Sequence, residues 1–146
     1  VESAMGWSLG AAIGAKAAAP EKLVATFIGD EAFCETAMDL ETSVLFDTPI
    51  LVILLNNRSD TLAKRGNARL DHARWIGSRR LSDVAKALGA EAERVDDPEQ
   101  VRPALERAIG TVRGGRTTVV EVEIARVRNN LSHLYRDQEG SERPLH

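Results

Sequence analysis

The chain has 146 residues, 43% of them hydrophobic and 28% charged, which fits one soluble globular domain by the usual prior of about 100–200 residues per domain. Nineteen Lys and Arg against 22 Asp and Glu leave a net charge of -3, which removes the electrostatic case for a nucleic-acid partner. No apolar stretch approaches the roughly 18 residues that span a bilayer, so no membrane association is expected. The lone Cys34 excludes an intramolecular disulfide and a cysteine-based zinc site, and a cytoplasmic, reducing setting is the expectation.

Residues 5–19 are rich in Ala and carry Gly10 and Gly14 four apart, which predicts a helix packed tightly against a neighbour and ended by Pro20. Lys16 and the preceding Glu2 give this start the wrong charge order for a signal peptide. Residues 23–28 are a near-continuous apolar run, the pattern of a strand buried on both faces. After Gly29, residues 32–46 place Phe33, Ala37, Leu40, Val44 and Leu45 at helical intervals, with Glu35, Asp39 and Glu41 on the polar face. Cys34 on this helix is expected to be a small core residue. Pro49 breaks the chain before a second buried-strand run at 50–55.

Residues 57–80 are polar, Arg-rich and interrupted by Gly66 and Gly77; a connection of this length is usually functional or disordered. A helix over 81–88 with Gly89 at its end, a short strand over 92–95, a helix over 98–112 with Pro in its first turn, and a strand over 117–124 alternating Val with Thr and Glu complete the domain. Residues 1–125 therefore read as one unit and 126–146 as a loose polar tail. Strand–helix alternation predicts an α/β fold of three layers, α/β/α, around a mostly parallel sheet.

Parallel strands bring their carboxyl ends to one edge, where open α/β sheets bind ligands. Asp30 and the pair Asn56-Asn57 then emerge side by side from the runs 23–28 and 50–55. A carboxylate, the Asn57 carboxamide and the carbonyl of Ser59 suit a hard cation, with phosphate oxygens and water completing the shell. Gly29 allows a sharp exit from the strand, and a helix start presents free N–H groups to phosphate. Taken singly, Asp30 also suits a helix cap and Asn56-Asn57 a turn.

The order Gly29-Asp30-Glu31, then 24 residues, then Asn56-Asn57 resembles the thiamine diphosphate signature of GDG, a spacer and NN. Residues 3–15 resemble the stretch preceding that signature in the acetolactate synthase and pyruvate decarboxylase superfamily. Segments 81–89 and 98–109 resemble its closing helices, and 117–124 its last strand. The resemblance implies the thiamine diphosphate-binding fold, here a pyrophosphate-binding domain lacking its first strand.

It further implies a diphosphate- and magnesium-binding domain of a 2-oxo acid decarboxylase or carboligase, a lyase or transferase of the acetolactate synthase type. Asp30, the Asn57 side chain and the Ser59 carbonyl would hold Mg2+. Gly29 and the amides of Glu31, Ala32 and Phe33 would face the diphosphate of the cofactor. Met5 would prop thiamine diphosphate in its bent form, its amide and the carbonyl near Ser3 meeting the aminopyrimidine edge; core filling is the commoner use of Met.

The family's activating glutamate lies on a pyrimidine-binding domain, normally of a neighbouring subunit, and no residue here matches it. No catalytic residue is therefore assigned, a homo-oligomer is expected, and the isolated chain is expected to be inactive. Glu31 replaces the third signature glycine and places a second carboxylate near an anion. A non-catalytic α/β fragment or interaction module that has lost cofactor binding is the alternative. Arg65, Arg69, Arg74 and Arg79 are candidates for contacts to an anionic substrate, against the plainer reading of a solvated loop. Trp75 is a candidate stacking residue, whereas His72 and His133 have no partner at ligand spacing and read as surface residues.

Overall fold

The described residues form the strands β1 (Ala25–Gly29), β2 (Leu51–Asn56), β3 (Glu91–Val95) and β4 (Thr118–Glu123), of which β2 and β4 are rich in Val, Ile and Leu. The structure is a computed structural model that describes residues 4–57 and 80–125. Ser3, Ser59, the arginines Arg65, Arg69, Arg74 and Arg79, Trp75, His72, His133 and the tail 126–146 lie outside the described residues. All pairings are parallel, in the order β1-β2-β4-β3. Every strand therefore delivers its carboxyl end to the same edge.

Among the described residues, five helices cover the sheet: α1 (Trp7–Ala18), α2 (Asp30–Thr36), α3 (Asp39–Leu45), α4 (Leu81–Ala87) and α5 (Pro98–Arg113). One core joins Leu9, Phe33, Leu40 and Ala85 from the first four helices to Ile28, Val52, Leu54 and Val119 of the sheet. The other packs Ala104, Ala108 and Val112 of α5 onto Leu51, Ile53, Val120 and Val122. This is the expected α/β/α layering. No helix among the described residues is long and apolar enough to cross a membrane.

Caps fix the helix ends where the sequence marks them. Asp97 accepts from the amide of Glu99 at 2.9 Å, with Pro98 in the first turn of α5. Gly89 closes α4 at φ 88°, with Gly89 N–H donating to the Lys86 carbonyl and Ala90 N–H to that of Ala85, a Schellman motif that needs glycine.

Several expectations are corrected. The strand predicted to be buried on both faces is an edge strand starting at Ala25. Its Phe27 is 65% exposed, since α5 packs on the other three strands and no described element covers that face of β1. The single helix predicted over 32–46 is two. At the join, Leu40 N–H donates to Ala37 and Glu41 N–H to Met38, the tighter i→i+3 pattern, and α3 then turns Leu45 outward. Cys34 is exposed, one step around α2 from the buried Phe33. Gly10 and Gly14 have no atom of another element within 4 Å of a built Cβ, so the small-residue face of α1 meets nothing among the described residues; α1 packs through Leu9 and Ala12 instead. The strand predicted over 117–124 is present as β4, a central strand between α4 and α5 that buries Thr118 and Glu121 as well as its valines.

Candidate functional site

The carboxyl edge of β1 and β2 is built by register. Gly29 pairs with Leu55, so Asp30, which opens α2, and Asn56, which closes β2, leave the same sheet edge from neighbouring strands, and Asn57 follows. Asp30 is 9% exposed and occupies the first position of α2; the capping position belongs to Gly29, which has no side chain to cap with. The capping role open to Asp30 from sequence is therefore not the one it fills. Its Oδ1 accepts from the Glu31 amide at 3.1 Å. A Cβ built on Gly29 meets nothing of the described residues within 4 Å, so among them the strand exit is open.

Asn56 and Asn57 are set apart by their surroundings. Asn56 is buried and its Nδ2 donates to Glu121 Oε1 at 2.7 Å, while the other carboxylate oxygen, Oε2, accepts from the backbone amide of Ser82 at 2.8 Å. Glu121 is 0% exposed, and Arg94 stands opposite it on β3 while bonding to Glu123 farther along β4. A polar track thus crosses β2, β4 and β3 beneath the start of α4, buried at Asn56 and Glu121 and half-buried at Arg94 and Glu123. Sequence reading missed Glu121 and Arg94. The available signal was a charge set inside a Val-rich strand, which a central position makes costly unless it is hydrogen-bonded.

Met5 does not fill the core. It is 49% exposed and lines an open groove of about 520 Å³ with Trp7, Gly10, Thr36 and Asp39. Gly6, at φ 78°, brings this segment so close to α2 that a Cβ there would lie 2.3 Å from Thr36 Cγ2. Farther along α1, Lys16 is buried and donates to the carbonyls of Pro20 and Lys22 at 2.8 and 2.7 Å, tying the end of α1 to the approach of β1.

Among the described residues no group of three or more His, Cys, Asp and Glu is poised to hold a metal. The edge instead offers the Asp30 carboxylate beside the neutral oxygen of Asn57, donor types that suit a hard cation.

Residues 1–122 match the family described as thiamine pyrophosphate enzyme, C-terminal TPP binding domain. The chain belongs to this family. Its all-parallel sheet flanked by helices agrees with the thiamine diphosphate-binding fold. Over 126 residues it is 35% identical to a sulfoacetaldehyde acetyltransferase of Alcaligenes xylosoxydans xylosoxydans, covering 83% of this chain and 21% of that protein. It is 32% identical over 111 residues to a mitochondrial acetolactate synthase catalytic subunit of Aspergillus candidus, covering 73% of this chain and 16% of the relative. With the acetolactate synthase isozyme 3 large subunit of Escherichia coli (strain K12) the identity is 30% over 136 residues, covering 90% of this chain and 23% of the subunit. The chain thus spans about a fifth of the length of the curated relatives it matches. Within the matched span, Gly29-Asp30-Glu31 and Asn56-Asn57 lie at the sheet edge just described.

Proposed function

We propose that this domain anchors the diphosphate of thiamine diphosphate through Mg2+ in an acetolactate synthase-like decarboxylase or carboligase. The observation that carries this reading is the placement of Asp30 at the first position of α2, beside the Asn56-Asn57 end of β2. Asp30 supplies the charged oxygen for magnesium, Asn57 a neutral side-chain oxygen, and the Ser59 carbonyl the third protein ligand. The amides of Ala32 and Phe33 face the diphosphate, that of Glu31 being shared with Asp30 Oδ1, and a strand exit at Gly29 that is open among the described residues admits it. Met5, held in its groove by the close approach of Gly6 to Thr36, supports the cofactor's bend, and the carbonyl near Ser3 meets the aminopyrimidine.

When bound, thiamine diphosphate supplies an electron sink for a carbanion. This chain's part is to hold and orient one end of it. The acid that activates the pyrimidine comes from a pyrimidine-binding domain, on another chain or another part of the same enzyme, so the isolated chain does not turn over substrate. Large exposed side chains, Trp7, Met38, Leu45 and Phe46, support a covering partner, and a homo-oligomer in the cytoplasm is the assembly we infer. The relatives named for acetyl transfer and acetolactate synthesis support a 2-oxo acid or an acyl acceptor as substrate class.

A thermal-shift series tests the anchor. A ligand at one hundred times its Kd stabilises the native state by about 2.7 kcal/mol, so thiamine diphosphate and Mg2+ together should raise the melting temperature, and either alone should do little. No joint shift at millimolar concentrations would favour the alternative, an α/β module in which Glu31 has cost the domain its cofactor.

A further inference from the structure

Glu121 lies outside the signature, yet its two carboxylate oxygens take hydrogen bonds from two different elements. Oε1 accepts from the side chain of Asn56 at the end of β2, and Oε2 from the Ser82 amide in the first turn of α4. A carboxylate accepts but does not donate, so only Nδ2 of Asn56 can face it, and the Asn56 amide is fixed in one orientation. The backbone of Asn56 is held as well, since its carbonyl accepts from Ile124 N–H at 3.0 Å. Asn56 is thus fastened to β4 by both main chain and side chain, one residue before Asn57.

We infer that Glu121 is a positioning residue for the metal site: it locks the carboxyl end of β2 so that Asn57 is presented to Mg2+ in a fixed geometry. This rests on the magnesium role of Asn57 proposed above. A magnesium ion demands near-ideal octahedral geometry, so a ligand on a loosened strand end costs affinity even when its own side chain is unchanged. Positioning partners of metal ligands typically cost 10–100-fold in affinity when removed.

The chemistry of the pair permits a swap. Asn56→Asp places acceptor against acceptor and like charge against like charge. Adding Glu121→Gln to it restores a donor: the introduced carboxamide donates to the introduced carboxylate on β2, while its carbonyl still accepts from Ser82. Glu121→Gln alone keeps both bonds if the Asn56 amide turns over.

The test uses the full chain in two arms. In the first, the Mg2+ concentration for half-saturation is measured at fixed thiamine diphosphate. In the second, without ligand, hydrogen exchange is followed at the Ile124 amide, which reports on the backbone of Asn56. Asn56→Asp should raise the half-saturating Mg2+ and the Ile124 exchange rate about ten-fold each. The double variant Asn56→Asp/Glu121→Gln should return both to within about three-fold of the parent, a rescue that a general loss of packing would not give. Parent-like values in Asn56→Asp, or a double variant no better than the single one, overturn the inference. A parent chain that fails to bind would sink the proposed anchor instead, and the exchange arm still decides whether Glu121 locks the strand end.

Discussion

The carboxylate of Glu121 holds the side-chain amide of Asn56 at 2.7 Å across two neighbouring strands, in a site from which solvent is excluded. Low local dielectric strengthens such a bond and raises the cost of breaking it on one side only. Glu121→Ala strands the Asn56 Nδ2 and the Ser82 N–H together. At about 1–3 kcal/mol for each of the two groups, denaturant titration should show a loss of about 2–6 kcal/mol. A loss under about 0.5 kcal/mol would contradict the network's role in stability.

The approach of Gly6 to Thr36 gives a second prediction. Gly6→Ala meets both a positive φ and a contact of 2.3 Å with Thr36 Cγ2. The left-handed conformation alone costs an L-residue about 1–2 kcal/mol. Adding Thr36→Ala should relieve the collision and leave the backbone term, so chemical denaturation of the double variant should recover only part of the loss. Full recovery would show that φ at this position relaxes.

Lys16 is a buried cation with two carbonyl acceptors, from Pro20 and Lys22. Lys16→Met keeps the length and removes the donor. The expected cost is about 1–3 kcal/mol, with faster hydrogen exchange at the Lys22 amide, whose bond to the Ala19 carbonyl sits inside the loop that Lys16 braces. Unchanged exchange there would argue that the loop holds itself.

Most of the fold was legible because its signals are local. Gly89 and Pro98 mark helix ends through their own backbone chemistry, and the aliphatic runs mark strands wherever they sit. What could not be read was strand order, and each error about burial in the sheet follows from it. Phe27 looks like a core residue until β1 is known to be an edge, and Glu121 looks like a solvent-facing residue until β4 is known to be central. The candidate site was legible as Asp30 and the asparagine pair, since their place at strand ends needs only parallel strands. The separate duty of Asn56 was not, because its partner lies 65 residues away in sequence.

Exposed apolar side chains at the end of α3 bear on assembly. Leu45 and Phe46 are both largely exposed. Changing them together to Ser should lower the sedimentation coefficient of an associating chain at high concentration while leaving the melting temperature nearly unchanged. Association that survives the change would move the contact elsewhere, with Trp7 and Met38 the next residues to change.

The central claim is the magnesium–diphosphate anchor, and calorimetric titration of thiamine diphosphate into the chain reaches it most directly. In excess Mg2+ the account predicts saturable binding that disappears with chelator, is abolished by Asp30→Ala and weakens at least about ten-fold in Asn57→Ala. Absence of saturable heat at millimolar cofactor, or binding that Asp30→Ala leaves intact, would contradict it.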